Sequence, residues 1–371
     1  MKRRILILYG GRSAEHEISC VSGRSVMDAL DPERYEAIPI GITKEGAWQL
    51  SAGPPTLPDV GGALPSVRPD RSAEVELDRT VGASSLVSAE GDRREIDVVF
   101  PVLHGPYGED GTIQGMLELA GIPYVGAGVL ASAIGIDKAV QKVIFREAGL
   151  PVGPFETVHE REWEQDRDGV GARAARLGYP LFAKPATLGS SVGISKVHDD
   201  GELSAAMEEA FRYATKAVLE TSIEGAREIE CAVLGNDEPR ASLPGEILPF
   251  GEFYDYRSKY LEERTRLVIP APLNDSLVAD VQRMAIEAFR AIDCAGMARV
   301  DFFLRGGEPE GGRGGELLLN EINTIPGFTS VSMYPKLWEV SGVPYPELID
   351  RLVELALERH ERDRKKGTGA S

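Results

Sequence analysis

Cysteine is scarce in this sequence. Cys20, Cys231 and Cys294 lie far apart in a chain of 371 residues. That excludes a disulfide framework and any cysteine-based metal spacing, and it fits the reduced thiols of a cytoplasmic protein. The five histidines form no metal-binding cluster either. Basic charge is in deficit: 41 Lys and Arg against 59 Asp and Glu leave a formal net charge of −18. Broad binding to nucleic acid or to an anionic membrane is excluded, since both need a basic footprint; a local basic pocket for phosphate is not. No apolar run approaches the ~20 residues that span a bilayer. The opening Met1-Lys-Arg-Arg-Ile-Leu-Ile-Leu-Tyr9 has the basic start of a signal peptide. Its apolar stretch is short, however, and runs into Gly10-Gly11 without a small-residue cleavage site, so a buried first strand is expected. What remains is ordinary for a soluble globular chain, with 42% hydrophobic and 27% charged residues. The length suffices for two or three domains of roughly 100–200 residues each.

The densest chemistry lies in two apolar runs of strand length, Met297-Ala-Arg-Val-Asp-Phe-Phe-Leu304 and Leu317-Leu-Leu-Asn-Glu-Ile-Asn-Thr-Ile-Pro-Gly327. Between them Arg305–Gly315 is rich in glycine and charge, as a hairpin connection is. Side chains two apart on a strand share a face. Arg299 and Asp301 therefore point the same way, and Glu321 and Asn323 share a face with Ile322 opposite. Closing the hairpin would set three hard oxygen ligands, Asp301, Glu321 and Asn323, beside one guanidinium. Hard oxygens suit magnesium, and a cation beside a metal–phosphate site holds developing negative charge. A sheet edge decorated with charges has the same pattern.

The remaining segments read as alternating strands and helices. Ile5–Tyr9 is a strand apolar on both faces, followed by a glycine turn and a helix toward Leu30 with Ser13 as its N-cap. Ligands gather at the carboxyl ends of strands in such α/β units. Glu15 and Glu17, in the first helical turn, either complement the helix dipole or meet a ligand's ammonium group. Tyr35–Ile42 is a second strand. Ser51–Gly91, rich in Pro, Gly, Ser and Ala, reads as a surface insertion and not a domain. Ile96–Leu103 is a buried strand ending at the glycine-rich His104–Gly111, which opens a helix over Thr112–Ala120 and could receive an anion. His104 is either a positioning or acid/base group or a capped structural histidine. After a short strand at Ile122–Val125, the spacing predicts one helix over Ala131–Ala148, with Ile136, Val140, Val143 and Ile144 as its apolar stripe. Lys138, near its start, is poorly placed for the helix dipole and points to a phosphate. Gly149–Pro154 marks a domain boundary.

Tyr179–Pro185 is a strand carrying Lys184, and Ala186–Gly193 is either a Gly/Ser hairpin tip lying across phosphates with Lys184 as a point charge or an ordinary flexible hairpin beside a snorkelling lysine. Ala217–Ile223 reads as a strand linking two lobes. Arg227–Leu234 places Glu228 and Glu230 on one face. The aromatic and basic Phe253–Tyr260 reads as a lid carrying Lys259 and Tyr260. Asn274–Ala291 is an amphipathic helix capped by Asn274 or Ser276. Pro326–Met333 is a loop dense in hydroxyls and N–H donors, Leu348, Leu352 and Leu355 line a last helix, and Glu361–Ser371 is a polar tail.

Together these stretches resemble the D-alanine–D-alanine ligases of the ATP-grasp fold. The resemblance rests on Gly10–Ser19, Leu103–Gly115, Asp137-Lys138, Lys184-Pro185 with Gly189-Ser-Ser-Val-Gly193, Phe253–Tyr260, Met297–Asp301 and Asn320–Ser330, in family order. It implies an α/β chain of three domains: an N-terminal one over 1–130 with the 51–91 insertion, a central ATP-binding one over 131–223, and a C-terminal catalytic one over 224–371 with a lid near 250–265. The nucleotide would lie between the last two. The implied reaction phosphorylates the carboxylate of one D-alanine with ATP. A second D-alanine then attacks the acyl phosphate, and phosphate leaves. The product is the dipeptide used in peptidoglycan precursors.

The same resemblance implies roles for individual residues. Glu15 takes the first ammonium and forms a hydrogen-bonded triad with Ser190 and Tyr260. Arg299 and the N–H of Gly327 face the oxyanion. His104 serves the first site, and Ser332 with the N–H of Met333 seats the second carboxylate. Lys138, Lys184 and Lys259 bind phosphates, and Glu220, Ile223 and Glu228 contact the nucleotide. Asp301, Glu321 and Asn323 hold two magnesium ions, for which manganese can substitute. A cytoplasmic homodimer is also implied, with no nucleic-acid or membrane partner. Thr221 departs from the lysine many relatives place there, and the Glu220–Glu228 spacing is one residue longer than in some. The rivals are a D-alanine–D-lactate ligase, against which Tyr260 argues, another ATP-grasp carboxylate–amine ligase, and a catalytically silent nucleotide-binding regulator.

Overall fold

A strand apolar on both faces must be covered on both, and β1 (Arg3–Gly10) is buried beyond its first two residues. The computed structural model describes residues 2–56, 64–78, 80, 83–190, 192–248, 266–306 and 315–366. After β1 come α1 (His16–Ala29), β2 (Tyr35–Ile42) and β3 (Trp48–Leu50). Glu15, not Ser13, is the N-cap of α1; the Ser13 hydroxyl instead accepts the Glu15 N–H at 3.1 Å. The described part of the 51–91 insertion is more ordered than its composition suggests. Within it β4 (Val75–Leu77) and β5 (Ser85–Ser88) pair antiparallel, and β6 (Arg93–Glu95) completes a small sheet. Then β7 (Val98–Pro101) joins the first sheet, in the order β3-β2-β1-β7, with β1 parallel to β2 and β7. The helix α2 (Thr112–Ala120) follows. The expected strand at Ile122–Val125 reduces to a single bridge between Tyr124 and Val99.

The helix expected over Ala131–Ala148 is two, α3 (Val129–Ile136) and α4 (Lys138–Glu147). Asp137 divides them. Its backbone is extended, and its carboxylate accepts the N–H groups of Ala139 and Val140, each at 3.1 Å, starting a new helix. The break resets the phase. Val140 and Val143, expected inside, are exposed, and the buried face is Ala139, Gln141, Lys142 and Phe145.

The central sheet runs β10-β9-β11-β8, from β8 (Phe155–His159), β9 (Leu181–Pro185), β10 (Ser195–Val197) and β11 (Lys216–Thr221). Its helices are α5 (Glu160–Gln165), α6 (Arg167–Leu177) and α7 (Asp200–Phe211). The segment expected to link two lobes is thus an inner strand, β11, hydrogen-bonded on both sides. The largest sheet contains β12 (Arg227–Gly235), β13 (Arg240–Ala241), β14 (Gly245–Leu248), β15 (Arg266–Val268), β16 (Gly296–Arg305) and β17 (Glu316–Asn323). The helix α8 (Asp275–Ala291) covers one face of it, and Asn274 is its cap, accepting the Leu277 N–H at 2.9 Å.

The chain ends in α9 (Met333–Val340) and α10 (Tyr345–Arg364). Both pack into one hydrophobic core with β1, β7 and α1, so the last helices return to the first sheet. Arg359 of α10 fastens that return. Buried over the Tyr124 ring, its guanidinium donates to the carbonyls of Gly126 and, at 2.9 Å, Tyr124. Arg359→Met is expected to lower the unfolding free energy by about 3 kcal/mol, for two charged hydrogen bonds lost to buried carbonyls; urea melts would measure it. Among the described residues no helix is long and apolar enough to cross a membrane.

Candidate active site

Antiparallel pairing of β16 with β17 aligns Arg299 with Asn323 and Asp301 with Glu321, with an irregularity just after Asp301. The alternation expected of the two strands is therefore what assembles the cluster. Arg299 grips Asp301 with two bonds of 2.7 Å and lies 3.1 Å from Glu230 of β12. Asn323 donates its amide N–H to Asp301 at 3.1 Å. Burial opposes a charge on Arg299, but Asp301, Glu230 and Glu321 outweigh it and hold the guanidinium well above its ordinary pKa. Among the described residues no group of three or more His, Cys, Asp or Glu gathers for a metal. The third donor here is an amide oxygen, that of Asn323. Two carboxylates and one amide in adjacent register form an all-oxygen set, so these residues fit a hard divalent cation such as magnesium.

Three lysines and a glutamate face this cluster. Lys138 opens α4, where its Nζ donates to the Leu188 carbonyl at 2.7 Å and lies 3.7 Å from Glu321. Lys184 of β9 pairs with Glu220 of β11. Lys142, which sequence reasoning overlooked, binds the other Glu220 oxygen at 3.0 Å and the Asn320 carbonyl at 3.0 Å. Burial alone would raise Glu220, but Lys142 and Lys184 bring its carboxyl down to about 2. Burial likewise works against Lys184, and Glu220, Glu321 and Glu228 overcome it. Lys138, Lys184, Glu220 and the β16–β17 cluster, but not Lys142, line one cleft of about 520 Å³ between the central and largest sheets. Ser190, Ile223 and Glu228 lie on its wall. Its lining also includes the apolar Ile136, Phe182, Ile194 and Phe302.

Glu15 reaches the cleft from the first sheet. Its carboxylate accepts the hydroxyl proton of Ser190, 175 positions away. Two glycines permit this approach: a Cβ on Gly105 would sit 3.0 Å, and one on Gly189 3.3 Å, from the second carboxylate oxygen. His104 is buried nearby. Its Nε2 lies 3.0 Å from the Ser22 hydroxyl of α1, and its ring also bonds the Ile325 backbone. Burial pulls its pKa below the ordinary value, against the charge of Glu15. Glu109, quoted in the sequence motif without a role, lines the cleft and accepts the Gly105 N–H at 2.7 Å. Burial, and then the charge of Glu15, push its carboxyl well above the usual range.

Gly327 lies in the turn that follows β17, where the Ser332 hydroxyl accepts the Thr329 N–H at 3.1 Å. Ser332 is the N-cap of α9 and Met333 its first residue, so the free N–H groups of that helix end lie beside the hydroxyl. Lys259, Tyr260 and the expected lid lie outside the described residues, as does Ser191. The site therefore brings together a carboxylate, a set of lysines, an oxygen set that fits a hard cation and a guanidinium beside it.

Known proteins with this sequence pattern are consistent in kind. Residues 4–127 match the family model described as D-ala D-ala ligase N-terminus, and residues 144–354 the D-ala D-ala ligase C-terminus. The chain is 49% identical over 359 residues to the D-alanine–D-alanine ligase of Halothermothrix orenii, covering 96% of this chain and 99% of that one. It is 49% identical to the enzyme of that name from Streptomyces coelicolor, covering 96% and 93%. Among solved structures, the D-alanine–D-alanine ligase from Coxiella burnetii superposes with a TM-score of 0.83 at 39% identity, covering 98% and 96%. A D-Ala:D-Ser ligase from Enterococcus faecalis superposes with a TM-score of 0.80 at 34% identity, covering 96% and 100%.

Proposed function

The chain belongs to the D-alanine–D-alanine ligase family and has its ATP-grasp fold, and we propose that the residues described above divide the family's reaction among them. The enzyme joins two D-alanines with ATP, through a D-alanyl phosphate, to make the dipeptide of peptidoglycan precursors. The observation that carries the residue assignment is the Glu15–Ser190 hydrogen bond, which brings the first-sheet turn against the nucleotide cleft.

Glu15 receives the ammonium of the first D-alanine, with His104 neutral beside it. Lys138, Lys184 and Lys259 neutralise phosphate charge, which is most of what phosphoryl transfer asks of a protein. Glu220, Ile223 and Glu228 line the nucleotide end, and the Glu220 carboxylate also sets the position of Lys184. Asp301, Glu321 and Asn323 would hold two magnesium ions, or manganese in their place, which would supply charge neutralisation at the transferred phosphoryl group. Arg299 and the Gly327 N–H face the oxygen on which negative charge grows when the amine attacks. Ser332 and the Met333 N–H seat the second carboxylate. An acyl phosphate hydrolyses if water enters, so a lid carrying Tyr260 closes over Glu15 and Ser190.

Domain limits at 131 and 224 are supported by the sheets, each of which falls within one segment. We also place the enzyme in the cytoplasm as a homodimer formed through the first domain, where Leu119 and Leu130 are exposed. The test is product analysis with ATP, magnesium and D-alanine, with D-lactate competing, over roughly pH 6 to 9. D-alanyl-D-alanine with stoichiometric phosphate is expected throughout; a depsipeptide as main product would move the acceptor to lactate. Glu321→Gln is expected to abolish turnover at ordinary magnesium concentrations, and unchanged turnover would remove Glu321 from the metal set.

A further inference from the structure

Two features have no part in those assignments: the insertion that follows β3, and His16, the neighbour of Glu15. They meet at one point. His16 is fully buried at the start of α1. Its Nδ1 lies 2.7 Å from the Gly11 carbonyl oxygen, and its Nε2 lies 3.0 Å from the backbone nitrogen of Val67. A carbonyl only accepts and an amide N–H only donates. The ring must therefore carry its proton on Nδ1 and leave Nε2 bare, a single neutral tautomer.

The turn beneath the ring needs holding. Gly10 and Gly11 have φ of +86° and +95°, a conformation that glycine adopts without strain but that costs it conformational entropy. A Cβ on Gly10 would lie 2.4 Å from the Ile42 carbonyl, 3.0 Å from a Val67 methyl and 3.1 Å from the His16 ring. The ring and Val67 thus roof the double-glycine turn. The insertion is rooted on the same elements: Ser51 bonds the Tyr9 hydroxyl at 2.6 Å, and Arg24 of α1 donates to the Pro55 carbonyl at 3.3 Å. Beyond the turn, Ser13 accepts the Glu15 N–H, and Glu15 caps α1.

Resting on the reading of Glu15 as the ligand of the first ammonium, we propose that His16 is a positioning residue for the first D-alanine: held from behind by the Val67 N–H of the insertion, it fixes the Gly11 carbonyl and so the turn that delivers Glu15. The insertion is then a brace for the first substrate site.

Two substitutions divide the two contacts. His16→Phe keeps a ring and removes both bonds. His16→Asn keeps a donor near the Nδ1 position and loses only the contact to Val67. The readout is the D-alanine dependence of ADP release by the full chain, resolved into first-site and second-site constants. His16→Phe is expected to raise the first-site constant about tenfold, with the second-site constant and kcat near the parent values, and His16→Asn, which still lacks the Val67 contact, to recover only part of the loss. An unchanged first-site constant in His16→Phe overturns the proposal, as does full recovery in His16→Asn, which would leave the insertion no part in it, or an equal impairment of the first site, the second site and kcat in both variants. Should His16→Phe fail to fold, nitrogen-15 NMR of the unsubstituted enzyme decides: a neutral His16 protonated on Nδ1 is expected, and one protonated on Nε2 overturns it. Glu15→Gln, measured alongside, separates the two readings. If it leaves the first-site constant unchanged, the role of Glu15 fails and the proposal with it; if it weakens the first site and His16→Phe does not, only the His16 proposal fails.

Discussion

Arg299→Ala is expected to lower kcat for dipeptide synthesis by about a hundredfold to a thousandfold, and to destabilise the folded chain by about 3–5 kcal/mol. Both effects have one origin. The partly buried guanidinium lies in a hairpin that places Asp301 opposite Glu321 and beside Glu230. Removing it leaves those largely buried carboxylates facing one another, where a charge without its partner is costly. In the proposed assignment it also removes the preorganised donor at the oxygen where charge develops. Arg299→Lys would return a positive charge but not the two-pronged fork that holds both oxygens of Asp301. It is expected to recover part of the stability and little of kcat. Steady-state kinetics and urea melts of both variants check this. A kcat for Arg299→Ala within tenfold of the parent would take Arg299 out of the chemistry and leave it a structural ion pair.

That cluster was legible before the structure because it is local to two strands. Alternation alone places Arg299 with Asp301 and Glu321 with Asn323, and one hairpin brings the pairs together. The meeting of Glu15 with Ser190 was legible only through family resemblance, since nothing in either segment encodes a contact across 175 positions. Lys142 was missed for a physical reason. Its spacing from Lys138 is visible, but periodicity read through Asp137 put Val140 and Val143 inside. The cap at Asp137 turns the helix so that Lys142 points inward instead. A lysine is buried only where a carboxylate waits for it, and Glu220 belongs to a strand 78 positions on, by the numbering of the two residues. Glu109 and His16 escaped notice likewise: their bonds run to backbone groups, which any sequence has.

Glu220→Gln tests the other buried charge cluster, and its signature is in the pH dependence. The folded-state pKa of Glu220 is brought to about 2 from an ordinary 4.5. A lowered carboxyl stabilises the fold fully above its unfolded value and loses that contribution as pH falls through the folded one. The shift corresponds to roughly 3 kcal/mol near neutrality. The parent should therefore exceed Glu220→Gln by about that much in urea melts at neutral pH, with the gap narrowing below pH 4.5 and closing near 2. The variant also leaves Lys142 and Lys184 with no shared anion, so Lys184 loses the partner that, in the proposed assignment, holds it toward the phosphates. A rise in the ATP requirement of about tenfold or more is expected. Lys142→Met separates the two consequences. It keeps Lys184 paired with Glu220, so stability should fall while the ATP constant stays near the parent value. If Lys142→Met instead weakens ATP as much as Glu220→Gln does, Lys142 is itself a nucleotide ligand. If the parent and Glu220→Gln melt in parallel at every pH, the attraction of the two lysines only matches what burial costs the carboxylate.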